Sequence, residues 1–289
     1  MTIHTLFNHV LQRKQVSAVN DYEVVTDTMA YTQIDQVLPI FAEQLFFLDE
    51  LALEKIKGAK ALEIGLGSGV LSIGAVKAGA ARVTALEINP RAKNTAGFNI
   101  VLNGLEDRIA IIDGSDDIFQ PVKGQTFDYI ISNPPFEPTP PDVDYFYHSA
   151  AGLYGLDFIE KIFQAVDDYL TADGHLQIVT GAPGDREKPF LLIEMAEKYL
   201  SGSTTILLNA GTLNYAEAIG WYPEKGLCTV AQANFMKQKA AQDGVTDYHL
   251  CVIHYQKGAK QIQVKPAKVV YENWYLPPET QPEQEPVLI

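Results

Sequence analysis

Ala61-Leu-Glu-Ile-Gly-Leu-Gly-Ser-Gly69 is the stretch on which the fold turns. An apolar β-type run enters a turn with glycines at positions 65, 67 and 69, and a helical pattern follows from 69 to 78. Glycine lets a backbone take left-handed angles and approach a ligand closely, which is what a binding turn at the carboxyl edge of a sheet requires. Outward from it the pattern repeats. Strand-like runs stand at 60–65, 82–87, 109–113, 127–132 and 175–180, with helical patterns near 69–78, 90–103, 155–170 and 187–200. Apolar strands alternating with helices imply a parallel sheet covered on both faces.

Two more strands are expected at 204–209 and 247–255, separated by about 38 residues without strand character. The expected fold is therefore α/β and doubly wound, with a seven-stranded, mostly parallel sheet. Residues 1–57 are expected to form an N-terminal helical cap, from helical patterns at 3–14 and 34–50, with a short strand or ordered loop at 20–27. Residues 58–275 form the main domain with an insertion at about 211–246. The Pro/Glu-rich segment 276–289 is expected to be extended or disordered, since proline denies it helix and sheet hydrogen bonds.

Composition bounds the chemistry. The 289 residues carry a formal charge of -14, from 22 Lys plus Arg against 36 Asp plus Glu. So acidic a chain repels phosphate, which disfavours nucleic acid and anionic membranes as general partners. Seven Lys against three acids in 224–268 make a local basic surplus, but no Arg follows Arg186 to read phosphate or guanine in bidentate fashion. Nine acids lie between Glu106 and Asp144, either a mouth for a cationic peptide or amine, with Asp142 and Asp144 at its rim, or a solvated face. Two cysteines, Cys228 and Cys251, are too few for a disulfide framework and are expected to be buried or semi-buried thiols. No signal-like start and no long apolar run suggest a cytoplasmic protein with no membrane segment.

Glu87 closes the second strand of the alternation, 22 residues after Gly65, where its carboxylate can accept from both hydroxyls of a ribose. A dinucleotide fingerprint would want a small residue at position 70, where this chain has Val70. The G-x-G-x-G turn with Glu63 two residues ahead instead resembles the S-adenosylmethionine loop of class I methyltransferases. That resemblance implies S-adenosylmethionine as cofactor and S-adenosylhomocysteine as product. It also implies Glu63, Gly65, Gly67, Gly69, Glu87 and the adjoining Ile88 as cofactor contacts, and an acid after the third strand for the adenine. Asp117 is the preferred match there, with Asp116 close behind.

Phe127-Asp-Tyr-Ile-Ile-Ser-Asn-Pro-Pro-Phe136 ends a further strand in Asn133-Pro134-Pro135-Phe136. The tetrad resembles the N-P-P-Y/F motif of N-methyltransferases that act on planar NH2 groups: exocyclic amines of bases, or Gln and Asn side-chain amides. A conjugated nitrogen is a poor nucleophile. Acceptors at the Asn133 side chain and the Pro134 carbonyl would hold its two N–H bonds and turn the lone pair outward. Two prolines would stiffen that cradle, and Phe136 would stack on the acceptor plane. No metal is required, and Asn133 also borders the cofactor.

Gly155-Leu-Asp-Phe158 followed by a helix extends the likeness to the release-factor glutamine methyltransferases, the HemK-like group, over about 60–200. A short N-terminal region, the long insertion and the tail depart from that group. The preferred acceptor is a side-chain amide of a protein or peptide. The alternatives are a nucleic-acid base, a small metabolite, and a non-catalytic partner subunit with the same fold; a nicotinamide reductase ranks last. Tyr215, Trp221 and Tyr222 of the insertion are candidates for an acceptor pocket or for lid packing. Thr32 or Asp35 are candidate cofactor contacts, and His148 a candidate proton acceptor. Oligomeric state is not legible.

Overall fold

A computed structural model describes residues 13–141, 148–275 and 287–288. The chain opens with a hairpin, β1 (Lys14–Val19) and β2 (Tyr22–Asp27), turning at Asn20 with φ 52°. Helix α1 (Ala42–Asp49) and the single turn α2 (Leu53–Ile56) lead into β3 (Lys60–Ile64). Then come α3 (Val70–Lys77), β4 (Arg82–Glu87), α4 (Pro90–Leu102), β5 (Ile109–Asp113) and β6 (Phe127–Ser132). After these follow α5 (Asp157–Tyr169), β7 (Leu170–Gly184), α6 (Phe190–Tyr199) and β8 (Ser203–Asn214). Helices α7 (Tyr215–Glu224) and α8 (Val230–Asp243) precede β9 (Asp247–Gln256) and β10 (Gln261–Pro266).

One eight-stranded sheet carries the fold, in the order β10-β8-β9-β7-β6-β3-β4-β5. Every strand runs parallel except β9, which is antiparallel to both β7 and β8. Leu62, Ile130 and Tyr129 in its centre are wholly buried, as expected of strands covered on both faces. The order reverses between β3 and β6, and the crevice above that point is where doubly wound sheets bind ligands.

Two expectations need correction. The sheet has eight strands rather than seven, because Gln261–Pro266 adds parallel to β8 at the free edge. Its alternation of Ile262 and Val264 with Gln, Lys and Pro is that of an edge strand, whose polar side faces water and discourages further pairing. Among the described residues the N-terminal region opens on a hairpin, and its helices, α1 and α2, are shorter than expected. The pattern at 3–14 lies almost wholly outside the described residues, the 20–27 stretch is the second strand of the hairpin, and the expected 34–50 helix begins only at Ala42. Pro39, three residues before it, lacks the N–H and crowds a helix built through it. The expected insertion is a pair of helices, α7 and α8, and the strand before it runs on to Asn214. Most of the tail, 276–286 and 289, lies outside the described residues, while Val287–Leu288 pairs with Val269–Val270.

The hairpin is clamped to α4 by polar contacts. Asn99 exchanges hydrogen bonds with the Val25 backbone (2.8 and 2.9 Å) and also donates to the Ser68 carbonyl in the glycine turn (2.9 Å). Asp27 is fully buried and accepts from Lys14 (2.7 Å), from Arg91 (2.6 and 3.1 Å) and from the Val37 N–H (2.9 Å). Burial works to raise its pKa, but the hydrogen bonds from Arg91 and Lys14 outweigh it and leave the carboxyl below its ordinary value. The stability it contributes is therefore present above the ordinary carboxylate range and is lost as pH falls through the lowered value. Asp27→Ala strands two cations and a buried N–H; because Lys14 and Arg91 still reach solvent, the expected cost is near the low end of the buried-pair range, about 3 kcal/mol. Urea titration of the variant at neutral pH checks this, and a loss under about 1 kcal/mol would show that the clamp is superficial.

Candidate functional site

The ends of four adjacent strands, β6, β3, β4 and β5, open into one cavity of about 1130 Å3. That exceeds the usual range for one drug-sized ligand, so it has room for a cofactor and an acceptor together.

The glycine turn after β3 forms its floor. Gly65, Gly67 and Gly69 have φ of 78°, 55° and 84°, angles that side chains resist. A Cβ built at Gly65 or Gly67 would meet nothing within 4 Å, so the space beside the turn belongs to the cavity. Gly69 serves differently: a Cβ there would lie 3.3 Å from that of Ala96, so this glycine brings α3 and α4 together rather than lining the cavity. Glu87, at the end of β4, accepts from the backbone N–H of Gly67 and of Asn89, each at 2.8 Å. It thereby ties the glycine turn to the neighbouring strand while still lining the cavity, beside the half-exposed Ile88.

Glu63 is buried beneath the turn and accepts from the Ser72 hydroxyl. Burial, reinforced by nearby Glu87 and opposed by Ser72, pushes its carboxyl up to about 8. After β5, Asp116 and Ile118 reach the cavity, whereas the preferred Asp117 does not; its carbonyl accepts from the Ser115 hydroxyl and the Gln120 N–H. Of the two N-terminal candidates, Thr32 lines the cavity and Asp35 does not. Asp35 accepts from the Tyr31 hydroxyl (2.8 Å) and from Asn89 through its carbonyl (3.0 Å).

Asn133, Pro134, Pro135 and Phe136 follow β6 and all line the cavity. The Asn133 Oδ1 is buried without a hydrogen-bond partner among the described residues. A buried acceptor left unsatisfied costs about 1–3 kcal/mol, which a ligand N–H would recover. The Phe136 carbonyl accepts from the Tyr248 hydroxyl of β9, which pins the loop. Behind it His148 lines the cavity with Nδ1 2.5 Å from the Ser149 hydroxyl, and burial lowers its pKa to about 4, so it is neutral near pH 7. Asp142 and Asp144, the acidic rim expected from the sequence, lie outside the described residues.

The insertion reaches the cavity too, through Tyr215, Trp221 and Tyr222. Several further lining residues escaped the sequence reading. Glu43 in the first turn of α1 is buried, and burial, with Glu137 nearby, raises its carboxyl to about 8. Its only signal was an acid amid an apolar helical pattern. Tyr248, Trp274 and Tyr275 come from β9 and from the segment after β10, and nothing local marks them. Among the described residues no group of three or more His, Cys, Asp or Glu is placed to hold a metal, and no helix is long and apolar enough to cross a membrane. Cys228 is half-buried and Cys251 buried, both as free thiols.

Comparison with known proteins identifies the family and the fold. The sequence model of the methyltransferase small domain matches residues 44–192, just over half of the chain. A putative protein N5-glutamine methyltransferase of Methanocaldococcus jannaschii is 33% identical over 140 residues, 47% of this chain and 68% of that protein. The release factor glutamine methyltransferase of Geobacter sulfurreducens is 36% identical over 143 residues, 46% of this chain but only 49% of that protein. A solved SAM-dependent methyltransferase from Agrobacterium tumefaciens shares the fold, with a TM-score of 0.53 at 18% identity, covering 84% of this chain and 70% of that one.

The raised pKa of Glu63 has a measurable consequence. Stability tied to the neutral carboxyl is full below the ordinary carboxylate value and is lost as pH rises through about 8. Glu63→Gln keeps the shape and cannot ionise. Its melting temperature relative to wild type is expected to climb between about pH 6 and about pH 9; a difference constant across that window would mean the carboxyl is already ionised at the lower end.

Proposed function

The chain belongs to the methyltransferase small domain family, and on that premise we propose that it methylates a conjugated NH2 nitrogen, with a Gln or Asn side-chain amide of a protein or peptide as acceptor. The observation that carries this reading is the unsatisfied Asn133 Oδ1 in the cavity wall at the end of β6. S-adenosylmethionine is the cofactor; when bound it supplies an electrophilic methyl group on sulfur and leaves as S-adenosylhomocysteine.

The residues present suit that cofactor. The glycine turn leaves its backbone bare, Glu87 keeps carboxylate lone pairs for ribose hydroxyls, and Asp116 with Ile118 provides the acceptor and apolar contact an adenine needs. Asn133 Oδ1 and the Pro134 carbonyl then take the two N–H bonds of the acceptor. This discourages the nitrogen from sharing its lone pair with the adjacent π system and points that pair at the methyl carbon. Phe136 lies against the acceptor plane and eases the positive charge that grows on nitrogen. A methylated, cationic amide nitrogen is far more acidic than an imidazolium, so even a base as weak as His148 suffices to accept its proton.

The preference for a polypeptide acceptor rests on relatives, one a release factor glutamine methyltransferase and another a ribosomal protein uL3 glutamine methyltransferase from Bordetella pertussis. Acceptors of that kind put its work in the cytoplasm.

Purified protein incubated with methyl-labelled S-adenosylmethionine and source-cell lysate tests the reading, with Asn133→Ala in parallel. Label is expected in acid-precipitable, protease-sensitive material. The variant is expected to lose two or more orders of magnitude in rate while binding S-adenosylhomocysteine within about twofold of wild type. Full activity in the variant removes Asn133 from the mechanism, and nuclease-sensitive label transfers the acceptor to nucleic acid.

A further inference from the structure

Both tryptophans of the chain, Trp221 and Trp274, line the cavity, and both lie beyond the stretch matched to the family. Around them stand Tyr215, Tyr222, Tyr248 and Tyr275. The rings form a connected wall: Tyr248 and Trp274 have centroids 6.1 Å apart with planes 28° from parallel, Trp274 and Tyr275 meet edge-on at 5.8 Å, and Trp221 and Tyr275 lie 6.1 Å apart. These residues come from α7, β9 and the segment after β10, three places far apart in sequence that converge on one side of the site.

Trp274 is 6% exposed, and its indole N–H is buried without a hydrogen-bond partner among the described residues. Tryptophan buried only for packing normally finds a partner for that N–H, because an unsatisfied donor costs about 1–3 kcal/mol. A ligand atom that accepts a hydrogen bond would relieve it. A cation suits the chamber less well, since Lys225 already lies 5.6 Å over the Trp221 ring and would repel it.

We propose that this aromatic chamber is a second subsite of the acceptor pocket, selecting acceptors that carry a flat conjugated ring beside a carbonyl oxygen, which accepts from the Trp274 indole N–H. The proposal rests on the methyl-transfer reading of the adjoining site. The rings supply offset-stacked and edge contacts that a flat partner satisfies and a puckered one does not. The chamber makes substrate choice a property of residues outside the shared domain. The ring belongs either to a free small molecule or to a side chain next to the target amide in a polypeptide.

Calorimetry on the full chain saturated with S-adenosylhomocysteine tests this without any turnover, so it is read separately from the methyl-transfer assay. The probes are benzamide, cyclohexanecarboxamide of nearly equal size, and choline. Benzamide is expected to bind about tenfold tighter than the other two. Trp274→Phe keeps the ring face, removes the N–H, and is expected to weaken benzamide by about 3- to 10-fold. Trp221→Leu, half-buried in the same wall, is expected to weaken it as well, and serves should the first variant not fold. Competition by acetylated Phe-Gln-Gly but not Ala-Gln-Gly assigns the ring to a polypeptide; competition by neither assigns it to a free small molecule. Equal binding of the two amides, tightest binding of choline, or unchanged benzamide affinity in both folded variants overturns the proposal.

Discussion

The Glu87 carboxylate holds the site together. It is placed at the end of β4 and accepts from Gly67 on one side and Asn89 on the other. One buried carboxyl group therefore orients the turn that follows β3 and the start of α4 at once. Asn99, farther along α4, extends the same linkage by donating to Ser68 in the turn and exchanging bonds with Val25 in the hairpin. Turn, helix and hairpin are thus cross-braced through Glu87 of β4 and Asn99 of α4, and the cavity floor is preorganised before any ligand arrives. Burial raises the pKa of Glu87, while backbone donors pull against that rise.

The middle of the chain was legible because its signals are local. Strands β3 to β6 announce themselves by short apolar runs, the glycine turn by residues whose backbone angles few others tolerate, and the Asn133 tetrad by two prolines that exclude most alternatives. Where several acids sit together the resolution drops. Asp116 and Asp117 are adjacent, and only the path of the backbone after β5 decides that the first one reaches the cavity. Gly69 shows the same limit, since its left-handed angle serves helix packing against Ala96.

The ends of the chain were less legible for a different reason. Residues 34–41 carry Ile34, Val37 and Leu38 at helix-like spacing, yet these side chains line the cavity along an irregular backbone. Periodicity cannot distinguish a helix face from a wall segment when both are apolar on one side. Strand β10 is polar on one face and ends in proline, so its membership depends on the free edge of β8, a tertiary fact. Trp274 and Tyr275 stand just before a proline-rich segment and read as the start of a tail, although Trp274 is among the buried residues of the core.

The position of β9 between β7 and β8 sets an order in time as well as in space. As the chain leaves the ribosome, β3 to β6 and their helices can pair as soon as they emerge, since a partner for each of β4, β5 and β6 has already been made. Strand β8 has no partner until residues 247–256 have been made, about 33 residues after β8 ends. The cofactor floor can therefore be assembled while the aromatic wall is still unmade. A truncation before β9 would leave β7 with a bare hydrogen-bonding edge, and such an edge is an invitation to aggregate. Quality control acting on unpaired strands would read this protein at its last quarter, where the aromatic wall is completed.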